Sequence, residues 1–238
     1  MASKKLLRTT NYELRTDSAQ QGHGLFITFE GSEGCGKSTQ IVRLAEKLRQ
    51  EHPAREVLTL REPGGTALGE QVRQVLQHAD SSVSIVSEAE LLLFAASRAQ
   101  LVREVIQPAL KRGAIVLCDR FFDSTTVYQG VARALDPEQV KMINNFSIGE
   151  VVPDVTFLLD MEVTQGRARM RARNASSALV DRMEQEAESF YEAVRQGYLD
   201  LAKKESERIV IIDASKNVEE VSKKIIKQLA SRTNLFLN

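Results

Sequence analysis

Eight consecutive residues, Gly31-Ser32-Glu33-Gly34-Cys35-Gly36-Lys37-Ser38, constrain this chain more than any other stretch. They have the spacing of a glycine-rich loop that closes on phosphate. They stand between a short β-type run, Leu25 to Phe29, and a segment from Gln40 to Glu51 with helical spacing in Ile41, Leu44, Ala45 and Leu48. Glycine lets the backbone curl until successive N–H groups and a helix N-terminus aim at one anion. The lysine then reaches the terminal phosphates, and the serine hydroxyl turns to Mg2+. Gly31 to Ser38, with Thr39 behind them, are the expected ATP-binding residues. Lys37 is the expected catalytic cation and Ser38 one expected metal ligand.

Further strand-like runs at Glu56 to Leu60, Ala114 to Cys118, Val155 to Leu159 and Ile209 to Ile212 alternate with helix-sized segments. Such alternation specifies an α/β protein: a P-loop NTPase fold with an about five-stranded parallel sheet, helices on both faces and ligand sites at the carboxyl ends of the strands. Residues 1–22 read as a flexible N-terminal tail and 23–238 as a single domain. Lys plus Arg is 32 and Asp plus Glu is 32, so any affinity for phosphate comes from local clustering; neither nucleic acid nor a membrane is an expected partner. The apolar runs are strand-sized, and the cysteines are only Cys35 and Cys118, which points to a reducing, cytoplasmic setting.

Asp119 closes the third apolar strand, where a carboxylate sits beside the metal, and is the second expected Mg2+ residue. Arg61 ends the second strand and is exposed by the turn Glu62-Pro63-Gly64-Gly65, so its guanidinium can fork onto a phosphate. Phe94 and Arg98 are four apart in a helix-like segment, Ser87 to Leu110. An aromatic face and a cation then project from one side, suited to stacking on a base and hydrogen-bonding its edge. Arg167, Arg169, Arg171 and Arg173 alternate with small or apolar residues ahead of a mobile stretch, Asn174 to Val180. Together they read as a lid, about 166–182, that closes over ATP and brings positive charge to the transferring phosphoryl group.

This set, with Asp119-Arg120-Phe121-Phe122-Asp123-Ser124-Thr125-Thr126-Val127-Tyr128-Gln129-Gly130 and Asp181-Arg182-Met183-Glu184, closely resembles thymidylate kinase over residues 24 to 230. The resemblance implies an enzyme that phosphorylates dTMP with ATP and Mg2+ in dTTP synthesis, and a homodimer. It implies that Phe94 stacks on thymine, Arg98 hydrogen-bonds a thymine carbonyl, and Arg61 and Arg120 hold the monophosphate. Ser124 belongs to the same substrate set, Thr125 and Gln129 line the base pocket, Tyr128 lies beside the sugar, and Glu33 senses the 3′-hydroxyl. Because the phosphate loop carries Glu33 and no arginine, the chain resembles the bacterial-type division, in which the lid supplies the cation. This lid is several residues longer than the usual form; Arg169 and Arg173 are the favoured pair, with Arg120 the third catalytic arginine.

The acceptor is an already ionised phosphate, so no strong general base is required and no histidine is assigned one. Cys35, near a helix N-terminus, raises a separate hypothesis of a lowered pKa and oxidation, against the favoured reading of a small residue that fits the loop. The segment Leu91 to Leu110 is apolar on more than one face and offers a surface for a second copy. Two rivals stay open: a kinase of the same fold acting on another nucleotide or a nucleoside, and a nucleotide-dependent switch that hydrolyses ATP slowly.

Overall fold

The structure, a computed structural model, describes residues 24–78, 83–174, 182, 186–233 and 235. The expected tail, most of the stretch after Asn174, and Asp181, Met183 and Glu184 lie outside the described residues. β1 (Leu25–Glu30), β2 (Val57–Arg61), β3 (Ile115–Asp119), β4 (Val155–Asp160) and β5 (Ile209–Asp213) form one parallel sheet in the order β2-β3-β1-β4-β5. Each strand falls within one or two residues of its apolar run. Strands buried on both faces are written as continuous hydrophobic stretches, and β4 is the plainest case, buried from Val155 to Leu159.

Between the strands run α1 (Lys37–Glu51), α2 (Ala67–His78), α3 (Ser87–Leu101), α4 (Gln107–Lys111), α5 (Phe122–Thr125), α6 (Pro137–Ile148), α7 (Val163–Asn174), α8 (Glu188–Lys204) and α9 (Val218–Arg232). Alternate residues of a strand point to opposite faces, so the packing differs from one face to the other. Ile27, Phe29, Ile115, Leu117 and Phe157 meet Leu44 and Leu48 of α1 and Ile225 and Leu229 of α9. Phe26, Val116 and Cys118, one residue out of step, meet Leu101 of α3, Ala109 of α4 and Ile148 of α6. Burying each leucine-sized side chain contributes roughly 1.5–3 kcal/mol, enough in sum to hold the sheet rigid beneath a polar site.

Two caps are explicit. Asp136 accepts from the Glu138 and Gln139 amides with Pro137 opening α6, and Asn217 accepts from the Glu220 amide to start α9. Two π-helical stretches, Val102–Ile106 and Thr126–Ala132, interrupt the helical run; the second carries Tyr128 and Gln129. Gly197 of α8 seats there, since a Cβ would lie 3.1 Å from Val127 Cγ1. No helix among the described residues is long and apolar enough to cross a membrane.

The registers bring the strand ends together. Phe29 and Arg61 both pair with Asp119, Glu30 pairs with Leu158, and Asp160 with Asp213. Every strand therefore finishes in a charged residue along one edge of the sheet: Glu30, Arg61, Asp119, Asp160 and Asp213.

Candidate active site

A cavity of about 900 Å3 opens along that edge. Its floor is the phosphate loop between β1 and α1, where Gly31, Gly34 and Gly36 hold φ values of 133°, 77° and 93° that a side chain would oppose. Two of these glycines also answer to close packing: a Cβ on Gly31 would lie 2.5 Å from Leu159 O, and one on Gly34 would lie 2.2 Å from Gly166 O of α7. Lys37 folds back along the loop and donates from Nζ to Gly31 O at 3.1 Å and Ser32 O at 2.9 Å. Ser38 Oγ donates to Asp119 Oδ2 at 2.7 Å. The structure thus joins the two residues expected at the metal; a hydroxyl and a carboxylate at one point are the hard oxygen donors that Mg2+ prefers.

The opposite end holds most of the expected substrate residues. Glu33, Arg61, Phe94, Arg120, Ser124, Thr125, Tyr128 and Gln129 all line the cavity, as do Cys35 and Thr39 on the loop side. Arg120 is the hub. At φ 69° it is a non-glycine residue in left-handed backbone, a conformation that turns its side chain back over the strand end. Its Nη2 donates to Glu33 Oε1 at 2.6 Å and to Tyr128 Oη at 3.1 Å, and its Nη1 donates to Ser124 Oγ at 3.1 Å and to Tyr198 Oη at 3.3 Å. Arg61 reaches in half-exposed, donating to Glu70 Oε2 at 2.7 Å.

Beneath Arg120 lies Glu30, 1% exposed, which accepts from the Phe121 amide at 2.8 Å, Ser124 Oγ at 2.6 Å and Tyr198 Oη at 2.7 Å. Burial, with Asp123 adding to it and Arg120 opposing it, pushes the Glu30 carboxyl up to about 7. Burial pushes Glu62 up to about 7 as well, against the pull of Arg98.

Two residues singled out in the sequence lie deeper than the rest. Arg98 does share its helix with Phe94, but its guanidinium is 1% exposed and does not line the cavity. Nε donates to Glu62 Oε2 at 2.7 Å, Nη1 to Asn144 Oδ1 at 3.1 Å and Nη2 to Thr125 Oγ1 at 2.9 Å, so it braces the pocket wall from behind. A buried guanidinium must find acceptors, and three elements supply them here. Cys35 is 3% exposed, and burial pushes its thiol up, with Lys37 and Arg120 only partly opposing, as for a small residue packed into the loop. Cys118 is likewise buried and free.

The arginines of α7 separate. Arg169 lines the cavity and donates from Nη1 to Ala214 O at 3.3 Å. Arg167 donates to Glu186 O and lies over the Tyr191 ring at 5.4 Å, and Arg171 is exposed. The side chain of Arg173 lies outside the described residues. The structure adds lining residues that sequence reasoning missed: Arg73 and Gln77 of α2, and Lys216, Asn217 and Val218 where β5 leads into α9. Glu70, Arg73 and Gln77 recur at three- and four-residue spacing right after the Arg61 turn, a readable signal. Among the described lining residues, Lys37, Arg61, Arg73, Arg120, Arg169 and Lys216 face only Glu33, Glu62 and Asp119, an excess of positive charge suited to polyanions.

A family model described as thymidylate kinase matches residues 29–225. The thymidylate kinase of Syntrophotalea carbinolica is 49% identical over 212 residues, covering 88% of this chain and 97% of that protein. The thymidylate kinase of Geobacter sulfurreducens is 46% identical over 211 residues, covering 88% and 98%. A crystal structure of thymidylate kinase from Ehrlichia chaffeensis superposes with a TM-score of 0.71 at 35% identity, over 87% of this chain and 99% of that one.

Proposed function

Because this chain belongs to the thymidylate kinase family and phosphorylates dTMP to dTDP with ATP, we propose that the transfer takes place inside the cavity along the sheet edge, between the phosphate loop and Phe94. The observation that carries this reading is the placement of Arg120, which touches the phosphate loop through Glu33 and the acceptor end through Ser124 and Tyr128.

In this reading the loop from Gly31 to Thr39 cradles the ATP phosphates through its amides, with Lys37 on the terminal ones. Ser38 and Asp119 would hold Mg2+, which when bound would supply charge neutralisation. Arg61, Arg120 and Arg73 grip the dTMP phosphate. Phe94 underlies the base, Thr125 and Gln129 edge it, and Tyr128 flanks the sugar with Glu33. An oxygen of the dTMP phosphate attacks the γ-phosphorus and the bond to the β,γ-bridging oxygen breaks, leaving ADP. The acceptor loses no proton that needs a base, since its second ionisation lies near pH 6. Arg120 and Arg169, from opposite sides, stabilise the charge spread over the transferring group; a guanidinium so placed is worth about 10³-fold or more. Arg173 is assigned to the same lid function from its position in α7.

Residues 23–238 act as a single kinase domain with the lid at about 166–182 and a tail ahead of it, and the enzyme works in the cytoplasm as a homodimer. Most of the apolar residues between Leu91 and Leu110 pack into the chain's own core, so the dimer face is the adjoining surface of α3 and α6, where Leu92, Met142 and Phe146 are 56%, 69% and 81% exposed. A coupled ADP-release assay over dTMP, dUMP, dCMP, UMP and AMP tests the whole reading. Turnover confined to the thymine nucleotide, with loss in Lys37→Ala, is the expected result; ATP hydrolysis indifferent to dTMP would overturn it.

A further inference from the structure

We infer that Glu90 is a positioning residue that decides which end of the Gln129 amide is shown to the nucleobase, and so sets discrimination between pyrimidines with and without a proton on N3. The inference rests on the placement of the base between Phe94 and Gln129 proposed above.

Glu90 stands in the first turn of α3 and is 1% exposed. Gln129 Nε2 donates to Glu90 Oε1 at 2.8 Å. The other oxygen, Oε2, accepts from Arg182 Nη2. Arg133 spans both oxygens, at 3.4 Å and 3.5 Å, and its Nη2 also donates to Glu186 Oε1 at 2.6 Å. Burial favours protonation of Glu90, but the hydrogen bonds from Arg182 and Gln129 and the charge of Arg133 outweigh it and hold the carboxyl below its usual range. Glu90 is therefore a carboxylate, which accepts hydrogen bonds and donates none.

That fixes Gln129. Of the two ends of its amide, only the nitrogen can face an ionised carboxylate. Gln129 also lines the cavity, so its carbonyl oxygen is the polar end left to meet a ligand. Thymine and uracil present an N3–H donor, whereas cytosine presents a bare N3 acceptor. An oxygen held in place matches the first and repels the second, and a polar mismatch in a water-excluded site discriminates far more strongly than a missing methyl group does. The proton pattern of the base is thus read by Gln129 but dictated by Glu90, which is itself held by Arg133 and Arg182 from outside the pocket.

The test is Glu90→Gln. Its amide keeps the shape of Glu90 but can donate to Gln129 Oε1, which lets Gln129 turn its nitrogen to the base. Steady-state kinetics with dTMP, dUMP and dCMP, using dCMP as an inhibitor against dTMP where its turnover is undetectable, should show the dTMP:dCMP preference falling by about tenfold or more, the weight of one hydrogen bond turned from match to mismatch. The dTMP:dUMP ratio should stay within about twofold, since both bases carry N3–H. An equal loss on all three acceptors, or an unchanged dTMP:dCMP ratio, overturns the inference. In the unsubstituted protein, the Gln129 side-chain amide protons, assigned by their loss in Gln129→Ala, should be protected from solvent exchange with and without dTMP; free exchange overturns it even if Glu90→Gln fails to fold. Gln129→Ala separates the two levels of argument. If it leaves the dTMP:dCMP ratio intact, the base placement itself is wrong; if it collapses that ratio while Glu90→Gln does not, only the role of Glu90 is wrong.

Discussion

Arg120 Nη2 donates to Glu33 Oε1 at 2.6 Å, tying the end of β3 to the interior of the phosphate loop. Both side chains are shielded, at 15% and 27% exposure, so the pair is little screened by solvent.

Arg120→Lys keeps a charge but loses the fork that spans Glu33, Ser124 and Tyr128. We expect kcat/KM for dTMP to fall by about 10²-fold or more. Glu33→Gln should cost less, and the double variant should fall short of the product of the two losses, because each single change already breaks the shared contact. Steady-state kinetics on the four proteins check this; strictly multiplicative losses would show that the two residues act independently.

Gly34 and Gly166 meet backbone to backbone, and a Cβ on Gly166 would lie 2.7 Å from Glu33 O. Gly166→Ala must displace the phosphate loop or swing the start of α7 outward. Displacing reacting groups by about 1 Å can cost about 10²-fold, so kcat should drop and KM for ATP rise while the dTMP:dCMP preference is kept. Kinetics at saturating dTMP read the effect, and parental values for both constants would refute the tight packing.

Glu30 gives stability a defined pH dependence. Its carboxyl ionises at about 7 in the folded protein against an ordinary 4.5, so the folded state binds more protons between those values. The contribution is fully present below pH 4.5 and is lost as pH rises through 7, with a size on the order of 3 kcal/mol. Urea unfolding at pH 5, 7 and 8.5 should show the stability difference between the parent and Glu30→Gln shrinking or reversing over that window and then levelling. A difference that grows with pH would contradict the burial of Glu30.

Phe146 is 81% exposed beside Met142 on α6. If this face is shared between two copies, Phe146→Glu should weaken dimerisation by about tenfold or more, because a carboxylate would have to be buried without a partner. Sedimentation equilibrium across a range of concentrations measures it, and an unchanged association constant would move the dimer face elsewhere.

The sheet was legible because parallel strands covered on both sides are spelled as apolar runs, and β1, β3 and β4 leave little else to read. The phosphate loop was legible because three left-handed backbone positions require glycine there. The burial of Arg98 was not legible, for a physical reason. Helical spacing places it beside Phe94, but the direction of its guanidinium depends on Glu62, Thr125 and Asn144, which lie 36, 27 and 46 residues away in the chain. Cys35 fits the favoured reading of a small residue packed in the loop: a helix N-terminus lowers a thiol pKa, but burial raises it. Glu30, Glu90 and Tyr198 carry no motif and became visible only once the fold brought their partners together.

The common finishing line of the five strands has a consequence for how activity can fail. Asp119 stands opposite Phe29 and Arg61, and its neighbour Cys118 is buried in the opposite pleat. A slip of β3 by one residue would send a thiol to the sheet edge and turn the carboxylate away from Ser38. Such a molecule would be inert, not merely slow. Imperfectly refolded preparations should therefore contain fewer competent active sites, each turning over at the full rate.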